Sequence, residues 1–153
     1  MLTESEIIKA VCRFLENHGY RVTQQLSETQ AGDDIIAFSL TGKKIMIEAK
    51  GETSSKSHTA RFGKPFSPNQ AHDHVSKAFF RAASYASQRI FAGIALPKNA
   101  AHISCVAKIQ PVLEKLKVEV FWVLPNRKVE IAGNWKTWAN PVFQRTRQTA
   151  TRR

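Results

Sequence analysis

Cysteine is scarce in this chain. Cys12 and Cys105 are the only two in 153 residues, each on an apolar stretch with helical spacing. They suit buried thiols in a reducing cytoplasm better than a disulfide. There is no CxxC pair and no HExxH, which argues against a structural zinc site. No apolar run approaches the ~18 residues needed to cross a bilayer. The first residues, Thr3-Glu4-Ser5-Glu6, are polar and acidic, unlike a secretory signal. A 42% hydrophobic share and this length fit one soluble cytoplasmic domain with a real core and no membrane segment. There is no internal repeat and no sign of a second domain.

Acidic residues are the other shortage. Twenty-three Lys and Arg face 12 Asp and Glu, for a net charge of +11. Residues 134–153 hold Lys136, Arg145, Arg147, Arg152 and Arg153 and no acid at all. Such a surface attracts polyanions, nucleic acid foremost, although ribosomal and membrane-surface proteins share the bias. The few acids are unevenly placed: five of the 12, Glu28, Asp33, Asp34, Glu48 and Glu52, fall between positions 28 and 52. An acidic island in a basic protein is what a cation site for phosphate chemistry requires.

Thr3-Glu4-Ser5-Glu6 is a capping box, and Ile7, Val11, Leu15 and His18, flanked by Ile8 and Phe14, make one helical face that Gly19 stops. Tyr20–Gln24 reads as a strand, and 28–32 as a polar loop. Two further strands, about 33–40 and 43–50, join at Thr41-Gly42. A long segment rich in Ser, Thr, Gly and Lys covers 51–69, a length that is uncommon without a function. Ser67-Pro68-Asn69-Gln70 starts a second helix, with Ala71, Val75, Ala78, Phe79, Ala82 and Ala86 as its stripe. Arg89–Leu96 is a nearly continuous apolar run, as a buried central strand should be. A third helix is expected from about Ala100 to Lys117, kinked or restarted at Pro111. Glu119–Leu124 is the next strand and Lys128–Ala132 a short edge strand. The order α-β-β-β-α-β-α-β makes a three-layer mixed α/β sandwich, its hairpin antiparallel and its later strands parallel by crossover.

The hairpin carries the anomaly. Glu48 and Lys50 are two apart and so share a strand face, next to Ile45, Met46 and Ile47. Asp34 opens the preceding strand, Asp34-Ile35-Ile36-Ala37. Charges at such positions cost desolvation energy and are kept for a fixed ion pair or for chemistry. A solvated Glu48–Lys50 pair contributing ~0–1 kcal/mol is the bland alternative.

With Asp34 at the start of one strand and Ile47-Glu48-Ala49-Lys50-Gly51 on the next, 14 residues from Asp34 to Glu48, the chain resembles the PD-(D/E)XK, or restriction endonuclease-like, nuclease superfamily over about residues 3–124. The Pro that often precedes the family's Asp is replaced by Asp33, a rival ligand. The resemblance implies an αβββαβ core with a mixed central sheet over 1–133, followed by a basic tail, 134–153. It further implies a metal-dependent endonuclease acting on DNA. Mg²⁺ or Mn²⁺ would be held by Asp34, Glu48 and the main-chain carbonyl of Ala49. Lys50 would orient or deprotonate the attacking water and offset phosphoryl charge.

Glu6, with Glu4 second, matches the carboxylate that family members often carry on the first helix, and Gln70 matches a polar residue on the helix after the catalytic strands. Both are equally readable as capping-box partners. His58, Arg61 and Lys64 are candidate phosphate contacts or ordinary loop residues. His72 and His74, at i and i+2 on a helix, point apart. The core consumes nearly the whole chain, which favours a structure-selective enzyme, a minimal restriction-type nuclease or a subunit targeted by a partner protein, and superfamily members often pair as homodimers. Two rivals stand: a binding module of the same fold without turnover, and an interaction protein whose basic tail docks an acidic partner.

Overall fold

The computed structural model describes residues 1–27, 30–54, 56–58, 60 and 62–131. Arg61, Glu28 and the basic tail with Trp135 and Trp138 lie outside the described residues.

The chain runs α1 (Glu4–Asn17), β1 (Arg21–Gln25), β2 (Ile35–Phe38), β3 (Lys44–Ala49), α2 (Pro68–Ser87), β4 (Phe91–Pro97), α3 (Ala100–Leu116), β5 (Glu119–Val123) and β6 (Val129–Ile131). The six strands form one mixed sheet in the order β1-β2-β3-β4-β5-β6. β1–β2–β3 are antiparallel, β3–β4–β5 are parallel, and β6 returns antiparallel to β5. The parallel pairs are those joined through α2 and α3, since only a crossover returns the chain in the same direction.

Period-two alternation divides the sheet between two cores. Ile35, Ala37, Ile45, Ile47, Ala49, Ala95, Phe121 and Val123 meet the α1 stripe of Ile7, Ile8, Val11 and Leu15. Met46, Ala92, Ile94, Leu96, Val120 and Trp122 face Val75, Ala78, Ala82 and Tyr85 of α2 with Val106 and Leu113 of α3. The result is a three-layer α/β/α sandwich, α1 on one side and α2 with α3 on the other. α1 and α2 both begin with complete capping boxes, Thr3 with Glu6 and Ser67 with Gln70.

Two local departures from the sequence expectation have physical reasons. The hairpin strands are shorter than expected, because Ser39 and Lys43 already belong to the turn that Gly42 closes at φ +80°. α3 does not restart at Pro111. Proline removes one N–H from the helix ladder, and burial of Val106 and Leu113 on either side holds the axis through the gap.

Among the described residues no helix is long and apolar enough to cross a membrane.

Candidate active site

Sheet register assembles the site. Ile35 pairs with Ile47 and Ile36 with Met46. One more step along this ladder sets Asp34 opposite Glu48, which is what the 14-residue spacing encodes. Like charges directly across a sheet repel, and both residues are nearly out of solvent, at 8% and 7% exposure. The main chain at Asp34 and at Lys50 is pinned: the Asp34 carbonyl accepts from Leu26 N–H (2.9 Å), and Lys50 N–H donates to the Ala95 carbonyl (3.0 Å), extending β3 past its last residue.

Lys50 answers that repulsion. Its Nζ donates to Glu48 Oε1 at 2.7 Å and to the Ala49 carbonyl at 2.8 Å. It also lies 4.0 Å from Asp34 Oδ2 and 3.8 Å from Glu4 Oε2. Asp34 Oδ2 accepts the Ala49 N–H at 2.7 Å. Three oxygens from Asp34, Glu48 and Ala49 thus gather around one positive charge. Burial and the Glu48 charge raise the pKa of Asp34, against the pull of the Ala49 N–H, Lys50 and Arg81. For Lys50 burial acts downward, but Glu4, Glu48 and Asp34 together outweigh it and hold the ammonium above its usual range.

The chain after Lys50 is equally constrained. Glu52 N–H donates to the Leu2 carbonyl, and Glu52 Oε1 accepts Leu2 N–H. Between them Gly51 touches the start of α1 so closely that a Cβ would stand 2.5 Å from the Glu4 nitrogen. This contact brings Glu4 to Lys50. Glu6, expected to be the first-helix carboxylate of the site, is instead committed to its cap and to Arg127 Nη2 at 2.6 Å. The Thr3 N–H and Arg127 hold its pKa down. Of the two first-turn candidates, it is Glu4 that lies beside Lys50.

Gln70 takes its capping alternative: its Oε1 accepts Ser67 N–H at 2.9 Å, and it does not line the cleft described below. His58 and Lys64 are exposed on the loop before α2 and do not line it either. His72 is exposed, whereas His74 is half-buried edge-on to Phe66.

The sequence reading missed the group from α2. Arg81 Nε lies 3.5 Å from Glu48 Oε2, while its Nη2 donates to the Gly32 carbonyl (2.9 Å) and Asp33 Oδ1 (3.3 Å). Tyr85, one turn on, donates its hydroxyl to the same Asp33 oxygen at 2.7 Å. Burial and the Asp33 hydrogen bond raise the Tyr85 pKa far above its ordinary value, so it is a donor at any physiological pH. Asp33 is therefore turned toward α2. The available signal was the i, i+4 pair Arg81/Tyr85 flanking the apolar stripe; its target 48 residues earlier was not visible.

Glu48, Lys50, Ser76, Lys77, Phe80 and Arg81 line an open cleft of about 520 Å³. Among the described residues no three His, Cys, Asp or Glu side chains converge as a metal cage. The donor set is two carboxylates and one carbonyl, all hard oxygens. That composition fits Mg²⁺, which usually takes one or two carboxylates and completes its shell with water and phosphate.

No protein-family model and no curated protein matches the chain. Among solved structures it is similar to SfsA from Pyrococcus furiosus in complex with Ca²⁺, with a TM-score of 0.39 and 16% identity. The similarity covers 85% of this chain and 59% of that one, so this chain spans less than two thirds of its neighbour's length.

Proposed function

We propose that this chain is a metal-dependent nuclease of the PD-(D/E)XK type, hydrolysing phosphodiester bonds in DNA. The observation that carries this reading is the convergence of Asp34, Glu48 and the Ala49 carbonyl on the Lys50 ammonium, beside a cleft that Glu48 and Lys50 line together with Lys77 and Arg81. Two nearly buried carboxylates side by side are costly, and with Asp33 and Glu4 beside them four acids face only Lys50 and Arg81, which leaves the cluster net negative. A site of that charge suits a divalent cation.

Asp34, Glu48 and the Ala49 carbonyl would hold Mg²⁺ or Mn²⁺, which when bound neutralises phosphate charge and lowers the pKa of a water. Lys50, with its pKa held up, is an ammonium at neutral pH. Its part is to orient the attacking water and to balance charge building on the phosphoryl oxygens, rather than to accept a proton. Glu4 keeps Lys50 charged from the α1 side. Arg81, bound to Glu48, Asp33 and Gly32, fixes the Glu48 carboxylate from α2. Lys77 and the +11 net charge draw the polyanion to the cleft.

The test is incubation of DNA and RNA with the protein in Mg²⁺, Mn²⁺ or EDTA, alongside Glu48→Ala and Lys50→Ala. Cleavage that needs the metal and disappears in both variants supports the reading. Tight binding with no cleavage under any condition would instead make this a nucleic-acid-binding module.

A further inference from the structure

Phe80 stands in the wall of the candidate active-site cleft and is 74% exposed, the most exposed phenylalanine among the described residues. Its neighbour Phe79 packs against the core, so the helix has already committed one aromatic ring inward and turned the next outward. A lone exposed aromatic is ordinary on a protein surface. This one is not alone. Ser76 and Phe80, and Lys77 and Arg81, are i, i+4 pairs on adjoining rows of α2, and all four line the cleft with Glu48 and Lys50.

An aromatic face flanked by two cations, beside carboxylates proposed to act on a phosphodiester, fits a nucleotide whose phosphate lies at the carboxylates and whose base reaches the ring. Base-on-aromatic stacking beside a basic backbone track is how single strands are held without sequence preference. Bases inside a duplex are covered on both faces by their neighbours, so a side chain reaches a base face only where the strand is unpaired, frayed or flipped. The cleft, about 520 Å³, falls in the size range of pockets that take a ligand as large as a nucleotide.

We propose that Phe80 is a stacking platform for an unpaired base next to the scissile phosphate, so that the substrate is a single strand or an unpaired junction rather than continuous duplex. This rests on the nuclease reading for the position of the phosphate, and on the cleft wall alone for the base contact. The platform is sequence-tolerant, because every base offers a π face. Lys77 and Arg81 supply the salt-sensitive share of the affinity.

The experiment measures affinity by fluorescence anisotropy, in EDTA so that no turnover occurs, for one labelled oligonucleotide offered single-stranded and as blunt duplex. The proteins are wild type, Phe80→Ala and Phe80→Trp, with oligomeric state checked by light scattering. At 74% exposure the ring supports no core, so both variants are expected to fold. Phe80→Ala should weaken single-strand binding by about tenfold or more, leave duplex binding within about twofold, and be rescued by Phe80→Trp. Equal losses on both substrates, or none on either, would overturn the proposal. A change of oligomeric state in Phe80→Ala would also overturn it, by placing the ring at a protein interface. If Phe80 governs single-strand affinity but wild type never cleaves in Mg²⁺, the nuclease reading fails and the platform stands. If wild type cleaves and Phe80→Ala binds unchanged, only the platform fails.

Discussion

Replacing Lys50 with methionine keeps most of the length of the side chain and removes its charge. The ammonium sits 2.7 Å from Glu48 Oε1 and 4.0 Å from Asp34 Oδ2. At an effective dielectric of about 20 the shorter contact alone is worth about 6 kcal/mol of Coulomb attraction. Most of that is offset by the cost of holding three charges out of water. What the substitution exposes is the other side of the balance: two carboxylates, 8% and 7% exposed, with only Arg81 left as a near cation. Stranding buried charge in this way costs about 3–5 kcal/mol, a large part of the 5–15 kcal/mol typical of a whole domain.

Lys50→Met should therefore lose about 3 kcal/mol in urea unfolding at pH 7. The double variant with Glu48→Gln should recover much of it, giving a coupling energy of about 2 kcal/mol. The loss should also shrink in acid. Asp34 has a folded pKa raised above its unfolded 3.8. A carboxyl raised in this way costs stability above its folded pKa, and that cost disappears as pH falls through the folded value toward 3.8. A divalent ion should likewise restore stability to the variant, by supplying positive charge to the two carboxylates that the substitution strands. A coupling energy below about 0.5 kcal/mol would show an ordinary solvated ion pair, and the reasoning from burial would be wrong.

Gly51→Ala should destabilise the fold by about 2 kcal/mol, because its Cβ would press on the Glu4 and Thr3 backbone, where nothing soft can yield; thermal unfolding reads it. His102 is 1% exposed and, because burial disfavours its charged form, its pKa falls from 6.5 to about 4. The unfolded chain then takes up a proton between those values while the native one does not, so up to about 3 kcal/mol present above pH 6.5 is lost on acidification to pH 4. His102→Gln should flatten that limb of the stability–pH curve, and an unchanged slope would show that the imidazole is not held neutral. Arg81→Met should cost under about 1 kcal/mol of stability, since its side chain is 41% exposed. The same change should reduce the salt dependence of nucleic-acid binding by about one unit of log–log slope.

What was legible in the sequence was what lies close together along it. The capping boxes at Thr3 and Ser67, the turn at Gly42 and the stripes of α1 and α2 are read within a few residues, and each settles its own element. Asp34, Glu48 and Lys50 were legible for the same reason: a short hairpin converts their spacing directly into a register. The choice between Glu4 and Glu6 was not, because both lie in the first turn of α1 and the capping pattern accounts for Glu6 either way. What decides it is Gly51, 47 residues from Glu4, which lets the end of β3 approach α1. The Arg81–Tyr85–Asp33 network was hidden by the same kind of distance, since it needs the angle at which α2 crosses the sheet. Pro111 pointed locally to a restart of α3, and the helix runs on through it, with Val106 and Leu113 buried on either side.

The most direct test of the central claim is the single-turnover rate of DNA cleavage against Mg²⁺ concentration, for wild type and for Glu48→Ala shown to be folded. The account predicts a rate that rises and saturates with Mg²⁺ in the wild type and falls by about a thousandfold in the variant. A rate indifferent to Mg²⁺, or a Glu48→Ala rate within tenfold of wild type, would contradict it.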